Sequence, residues 1–338
     1  MNSLLNHVVN GHRLTEQNAA ELMDQMMAGE LTPSETGGIL SLLAYRGESV
    51  DEITGFVKAI RNRAVQVDEI DEVVDTCGTG GDGASTFNIS TAAAIVASSC
   101  GAKIAKHGNR SVSSKSGSAD VLEHLQIAIQ STPDEAKQAV LKKNMTFLFA
   151  PLYHSSMKNV AQVRKELGFR TVFNILGPLI NPMQAKRQVI GVYSLEKAKI
   201  MAAALERFGP KHVLFVNGED GLDELTITAP TNVIELKDGE RKEYKITPEE
   251  AGLSYGRITD IQVNTPEESG KIITSVFNNR TSGTALHIIA FNAGAALYTA
   301  GKAQNLKEGV EIALDAIKTG KALDQLEKLK QKKEELYA

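Results

Sequence analysis

The sequence predicts an α/β protein: an all-helical stretch at the amino end, then a larger part built on a largely parallel sheet. Two observations predict it. The first sixty-odd residues repeat apolar positions at helical spacing only. From about residue 70, short apolar runs alternate with helical stretches.

In chain order, an early helix carries Leu22, Met23, Met26 and Met27, a cluster that reads as core packing. Thr32-Pro33-Ser34-Glu35 is a helix start with a capping hydroxyl, a Pro at the first position and a reciprocal Glu. Ile39, Leu40, Leu42 and Leu43 form its apolar face, and Gly47 stops it. Ser49-Val50-Asp51-Glu52 repeats the box ahead of Ile53, Phe56, Val57 and Ile60. Candidate strands follow at Val73-Val74, Lys103–Ala105, Phe147–Phe149, Val189–Tyr193 and His212–Val216. Candidate helices follow Ser90, Ser118, Thr132 and Ser194; Thr132-Pro133-Asp134-Glu135 is a third strong start. Residues 168–187 are apolar, glycine-punctuated and poorly placed for a strand. A return of this segment to the helical part makes both domains discontinuous. Residues 230–262 read as β-structure and turns. The tail after Ser282 is helical and ends in a Lys/Glu-rich amphipathic stretch, read as a solvated surface helix.

Bulk properties narrow the function. The 338 residues suffice for two domains or one large one, and the net charge of −4 disfavours a general nucleic-acid binder. Cys77 and Cys100 show neither CxxC spacing nor a His at metal-ligand spacing, so a disulfide framework or zinc site is not expected. The first residues lack a basic n-region and a long apolar core, and no apolar run reaches a membrane span. The expectation is a cytoplasmic enzyme without membrane or nucleic-acid partners.

The chemistry concentrates between Asp75 and Asp120. DTCGTGGDGASTFNIST is followed by one helix of sequence and then KIAKHGNRSVSSKSGSAD. Between Asp82 and Asp120 there is no acid, although the overall composition would place four or five there. Glycines let backbone N–H groups approach a ligand, hydroxyls donate to oxygen, and acids are kept away. Those are the needs of a phosphorylated substrate. Gly78, Gly80 and Gly83 fit a dinucleotide fingerprint, but the acid expected about 20 residues later is missing. The same loop fails as a P-loop because Ala84 stands where Lys belongs. Asn88, Ser90 and Thr91 sit at a helix start, a natural anion site, with simple N-capping by Ser90 or Thr91 as the competing reading. Asp220-Gly221-Leu222-Asp223-Glu224 follows the strand ending at Val216, where α/β sheets place ligands; it reads equally as a Mg²⁺ grip or an exposed acidic turn. Arg164 lies on a helix ended by Gly168 and alone reads as a surface residue, while His107 and His154 read as packing or hydrogen-bonding residues.

Together these motifs resemble those of the anthranilate phosphoribosyltransferases, the tryptophan-pathway branch of glycosyltransferase family 3. The resemblance rests on Asp75–Asp82 (DTCGTGGD), Asn88–Thr91 (NIST), Lys106–Asn109 (KHGN), Ser114–Asp120 (SKSGSAD), Val163–Gly168 (VRKELG), Arg170–Pro182 (RTVFNILGPLINP) and Asp220–Glu224 (DGLDE). It runs through essentially the whole chain in unbroken order. GTGGD and SGSAD alone are shared with pyrimidine nucleoside phosphorylases, so that activity is the nearest alternative. A non-catalytic nucleic-acid-binding relative is another; it would tend to lose Asp223 and Glu224 and gain basic patches, and this chain does neither.

The resemblance implies a small all-helical lobe packed on a larger α/β lobe with a mostly parallel central sheet. Its boundaries are 1–66 plus about 168–187 for the helical domain, and 67–167 plus about 188–338 for the α/β domain that binds phosphoribosyl pyrophosphate. It implies transfer of the phosphoribosyl group to the amine of anthranilate, Mg²⁺ as a pair of ions per site, and a homodimer. The sugar-phosphate residues it implies are Gly78, Gly81, Asp82, Thr86, Asn88, Ile89, Ser90, Thr91, Lys106, His107, Gly108, Asn109, Arg110, Ser111, Val112, Ser113, Ser114 and Ser118. Those for anthranilate are Gly78, Asn109 and Arg164; those for metal are Ser90, Asp223 and Glu224. No covalent nucleophile is expected, and no base is assigned.

Overall fold

Local chemistry starts the helices where the sequence indicates. Thr32, Ser49 and Thr132 each accept a hydrogen bond from the backbone N–H three residues on. Glu35, Glu52 and Glu135 reach back to the cap N–H. In the computed structural model, which describes residues 3–110 and 115–331, four helices come first. They are α1 (Ser3–Val9), α2 (Glu16–Ala28), α3 (Pro33–Arg46) and α4 (Val50–Arg63). Leu22, Met23, Met26 and Met27 are all buried in their shared core.

The sheet has seven strands among the described residues: β1 (Val74–Gly78), β2 (Ile104–Gly108), β3 (Met145–Phe149), β4 (Arg187–Gly191), β5 (His212–Gly218), β6 (Thr231–Lys237) and β7 (Glu240–Ile246). Their order is β3-β2-β1-β4-β5-β6-β7. The first five are parallel, and β6 and β7 add an antiparallel edge. The expected α/β class with a mostly parallel sheet is therefore observed. From β1 the chain builds outward first to β2 and β3, then on the other side to β4 and β5. The order reverses between β1 and β4, so the crevice beyond their carboxyl ends is where such a sheet offers a ligand site.

The crossovers and flanking helices are α5 (Ile89–Ser99), α6 (Ser118–His124), α7 (Pro133–Lys143), α8 (Ala150–Tyr153), α9 (Lys158–Leu167), α10 (Phe173–Leu176) and α11 (Leu195–Glu206). After β7 come α12 (Pro266–Phe277), α13 (Thr284–Thr299), α14 (Leu306–Lys318) and α15 (Lys321–Leu329). One core holds α5 and α12–α15 against the sheet. The amphipathic tail is thus only partly a solvated surface helix: Ala322, Leu326 and Leu329 of α15 are buried, while residues 332–338 lie outside the described residues.

A second core joins α1–α4 to Val160 and Val163 of α9 and to Phe173, Ile175, Leu176, Leu179 and Ile180. It continues onto the sheet at Ile190, Val213 and Phe215. Residues 172–180 of the 168–187 segment thus pack against the amino-terminal helices, whereas Met183 and Ala185 pack with Val67, Ile70, Val73, Ala105 and Leu148, and Arg187 begins β4. Polar ties reinforce the junction. Arg61 Nε donates to the Leu179 carbonyl at 2.8 Å. Lys197 of α11 pairs with Glu48 at 2.6 Å, and Arg207 pairs with Glu16 at 2.8 Å and Asp51 at 2.7 Å.

Candidate active site

Glycines let the segment after β5 close onto the ends of β1 and β4. A Cβ at Gly191 would lie 1.6 Å from the Asp223 carbonyl oxygen, and one at Gly78 would lie 2.6 Å from Asp223 Oδ2. A side chain at Gly191 pushes the backbone of the acidic turn away, and one at Gly78 displaces the Asp223 carboxylate. The turn is braced independently. Asp220 accepts from the Leu222 N–H at 3.1 Å and the Thr226 hydroxyl at 2.7 Å, and Asn292 of α13 clamps both the N–H and the carbonyl of Leu225.

From this turn the two acids grip different loops. Asp223 Oδ2 accepts from the Gly80 N–H at 2.7 Å. Glu224 accepts from the backbone N–H of Ser90 at the start of α5. Both are half-buried in the cleft wall. Burial, then Asp82 and Glu224, push the Asp223 carboxyl well above the ordinary range. Burial pushes Glu224 up to about 8, with Asp82 adding to the rise and Lys106 opposing it.

Lys106, in the middle of β2, is buried at 1% exposure. Its ammonium donates to the Thr76 carbonyl and, at 3.0 Å, to Ser90 Oγ. Burial pulls its proton affinity down, while Asp75, Cys77, Glu224 and Asp223 hold it up. Buried Asp75 is anchored from two sides. Its Oδ1 accepts from the His107 N–H at 3.0 Å and its Oδ2 from Asn181 Nδ2 at 2.8 Å. Cys77, between these charges, has its thiol pushed up by burial and by Asp75, which makes it a poor nucleophile.

The α5 start corrects one reading. The capping residue is Asn88, whose Oδ1 accepts from the Thr91 N–H at 3.2 Å, rather than Ser90 or Thr91. An Asn reaches the third N–H while also donating to the Ser116 carbonyl at 3.3 Å and accepting from Ser118 Oγ at 3.4 Å. It therefore staples the second loop to the first. Ser90 Oγ is left to Lys106. Thr91 Oγ1 and Ser116 Oγ are buried without a hydrogen-bond partner in the described structure. Ile89 opens α5 in the core, and Thr86 bridges Gln262.

In the second loop, Gly108 ends β2 where a Cβ would press on the Phe147 ring at 3.0 Å. The Asn109 carbonyl accepts from the Ala119 N–H at 3.3 Å. Arg110 departs from expectation: its guanidinium forks onto Glu123 at 2.6 and 2.7 Å and reaches Asp120 at 2.9 Å, so its charge is already met. The acid-free stretch of sequence is closed in space by acids of α6. Ser111, Val112, Ser113 and Ser114 lie outside the described residues. His107 and His154 are buried with ring centroids 5.2 Å apart. Burial lowers them to about 3 and about 4, which leaves both neutral near pH 7.

Arg164 is not the surface residue that pattern alone suggests. It is half-buried, with Cζ 5.0 Å from the Phe173 ring centroid, and burial alone shifts it downward. Sequence reasoning missed two further residues. Arg170 donates to the Gly81 carbonyl and stacks 4.2 Å from the Tyr193 ring centroid. Asn181 ties the 168–187 segment to Asp75 and to the Ala105 carbonyl. The signal available was position, since both fall in the RTVFNILGPLINP stretch.

A cavity of about 600 Å³ lies at the opposite, amino ends of the strands, lined by Glu69, Glu72, Lys186, Arg187 and Lys211 among others. None of the candidate residues lines it.

Known proteins match this arrangement closely. Residues 70–323 match the description "Glycosyl transferase family, a/b domain", and residues 2–64 match "Glycosyl transferase family, helical bundle domain". An anthranilate phosphoribosyltransferase of Bacillus subtilis (strain 168) is 65% identical over 338 residues, covering all of both chains. The chain belongs to the anthranilate phosphoribosyltransferase family. The crystal structure of the Thermus thermophilus anthranilate phosphoribosyltransferase superposes with a TM-score of 0.91 at 39% identity, covering 97% of this chain and 98% of that one. The Saccharomyces cerevisiae anthranilate phosphoribosyltransferase in complex with PRPP and Mg superposes with a TM-score of 0.88 at 27% identity, covering 97% and 96%.

The acidic turn is compatible with the Mg carried by the Saccharomyces cerevisiae structure. Among the described residues no three His, Cys, Asp or Glu side chains make a ready cage. Mg²⁺ does not need one, because one or two carboxylates suffice when phosphates and waters complete its shell. No helix among the described residues is long and apolar enough to cross a membrane.

Proposed function

We infer that this chain transfers the 5-phosphoribosyl group from phosphoribosyl pyrophosphate to the amine of anthranilate, giving N-(5-phosphoribosyl)anthranilate and pyrophosphate in L-tryptophan biosynthesis. The observation that carries the reading is the convergence of the Asp223-Glu224 turn, buried Lys106 and the α5 start on the sheet's reversal point.

Ser90, Asp223 and Glu224 would hold a pair of Mg²⁺ ions. Bound there, the metal supplies charge neutralisation for the leaving pyrophosphate. The GTGGD loop with Gly78, Gly81 and Asp82, the α5 start, and Lys106 through Ser118 offer backbone and hydroxyl donors for the sugar phosphate. Supporting this are the two partnerless hydroxyls, Thr91 and Ser116, at that end of α5. Arg164 is the acceptor-side cation, with Gly78 and Asn109 beside the acceptor. The C1–O bond to pyrophosphate breaks, the C1–N bond forms, and the amine loses a proton. Anthranilate's amine is neutral near pH 7, so no covalent nucleophile and no strong base is required. The lobes divide at 1–66 plus 168–187 against the remainder, the protein acts as a homodimer, and it works in the cytoplasm.

Anthranilate fluorescence tests the reading. The purified chain with phosphoribosyl pyrophosphate and Mg²⁺ extinguishes it. Persistence of the signal at high enzyme concentration overturns the assignment.

A further inference from the structure

We propose that Arg170 is a positioning residue that latches the donor loop in its binding orientation from the acceptor side of the cleft. The proposal rests on the function inferred above.

Within Thr79–Gly83, Asp82 Oδ1 accepts from the Ala84 N–H at 3.1 Å, but the glycines bring no side chain to fix their peptides. Gly80, Gly81 and Gly83 all have positive φ, at 64°, 78° and 76°, and no side chain. Glycine peptides in such a loop reorient at low cost. Thr79 is tied at the start of the turn, its N–H donating to the Gly191 carbonyl at 2.9 Å, and two further contacts act on the glycine peptides themselves. The Gly80 N–H is held by Asp223, and the Gly81 carbonyl by the Arg170 guanidinium. The second contact has a consequence for ligand chemistry. In a trans peptide the carbonyl of one residue and the N–H of the next point in opposite directions. Holding the Gly81 oxygen toward Arg170 aims the Asp82 N–H away from it. The flipped peptide would present a carbonyl oxygen on that side instead, which repels an anionic oxygen. The latch therefore selects the peptide orientation that offers a donor.

Arg170 is itself built into position. Gly168, in the left-handed conformation, ends α9 two residues before it. The Thr171 N–H is fixed by Asn174 Oδ1 at 3.0 Å one residue after it. The guanidinium lies on the Tyr193 ring, and the Tyr193 N–H donates to Thr79 Oγ1 at 3.2 Å in the same loop. Arg170 is exposed, and its partners are a carbonyl and a ring rather than an acid. The stretch that follows α9, the helix bearing Arg164, thus reaches across to the phosphate loop.

The test uses the full-length enzyme with Mg²⁺, each substrate varied in turn, plus titration calorimetry with phosphoribosyl pyrophosphate. Arg170→Ala is expected to raise KM and Kd for phosphoribosyl pyrophosphate about tenfold, with kcat, KM for anthranilate and the melting temperature little changed. Arg170→Lys recovers part of the loss, because charge returns without the planar fork. Tyr193→Leu, which removes the ring beneath the guanidinium, falls between wild type and Arg170→Ala. Unchanged phosphoribosyl pyrophosphate parameters in Arg170→Ala, or a defect confined to anthranilate, overturn the latch while an active wild type leaves the inferred function standing. A wild type that neither binds phosphoribosyl pyrophosphate nor turns over overturns the function itself.

Discussion

The two ends of the parallel strands differ in kind. The amino ends border a cavity of about 600 Å³ with exposed charges on its lining, such as Glu69 paired with Lys186 at 2.8 Å. The carboxyl ends are built differently. They gather a buried ammonium, half-buried carboxyls and a helix start held together by close backbone approach. The amino end pairs Glu69 with Lys186 at its surface, whereas the carboxyl end keeps like charges together against their desolvation cost. What marks the site is a cluster of buried charge brought together by close backbone approach at glycine.

The sharpest way to break that comparison is to remove the charge. Asp223→Asn with Glu224→Gln should abolish Mg²⁺-dependent turnover, a loss of several kcal/mol of transition-state stabilisation, while circular dichroism and melting show an intact fold. Near-normal turnover across a Mg²⁺ titration would remove the metal assignment.

Next is the close approach. Gly191→Ala places a Cβ inside the Asp223 carbonyl, so either strand or turn must move. The expected cost is about 2–4 kcal/mol of stability, with activity falling further than stability, read by chemical denaturation and kinetics together. A fully active, equally stable variant would show that the turn need not sit so close.

The buried imidazoles predict the pH response of the same end. His107 and His154 have folded values of about 3 and about 4, below an unfolded value near 6.5. The unfolded chain therefore binds more protons in this window. Their contribution is present above about pH 6.5 and is lost as pH falls toward 4, on the order of a few kcal/mol. His154→Asn should flatten the stability profile between pH 4 and 6.5 in urea titrations; an unchanged slope removes the explanation.

Arg164→Ala should lower kcat/KM for anthranilate roughly tenfold to a hundredfold, the worth of a charged hydrogen bond of about 1.5–3 kcal/mol, and leave phosphoribosyl pyrophosphate binding little changed. Arg164→Lys should rescue only in part. At the amino end, Glu69→Ala removes an exposed ion pair and should change neither activity nor melting measurably. A loss of turnover there would erase the contrast between the two ends.

Local order was legible without coordinates. Thr32, Ser49 and Thr132 announce helix starts because capping needs only residues three apart. The five parallel strands surface as short apolar runs because both faces of that sheet are covered. The glycine loop and the acidic turn are visible because backbone freedom and charge are written in residue type. Tertiary structure alone decided which of these meet. It set β1 beside β4 and brought the acidic turn over both. It made Asn88 the α5 cap, because Ser116 and Ser118 come to meet its amide. It spent Arg110 on α6 and carried Arg170 to Gly81 across 89 residues of chain. Such pairings follow from strand order and crossover packing, which depend on the whole chain's burial and not on any short window of sequence.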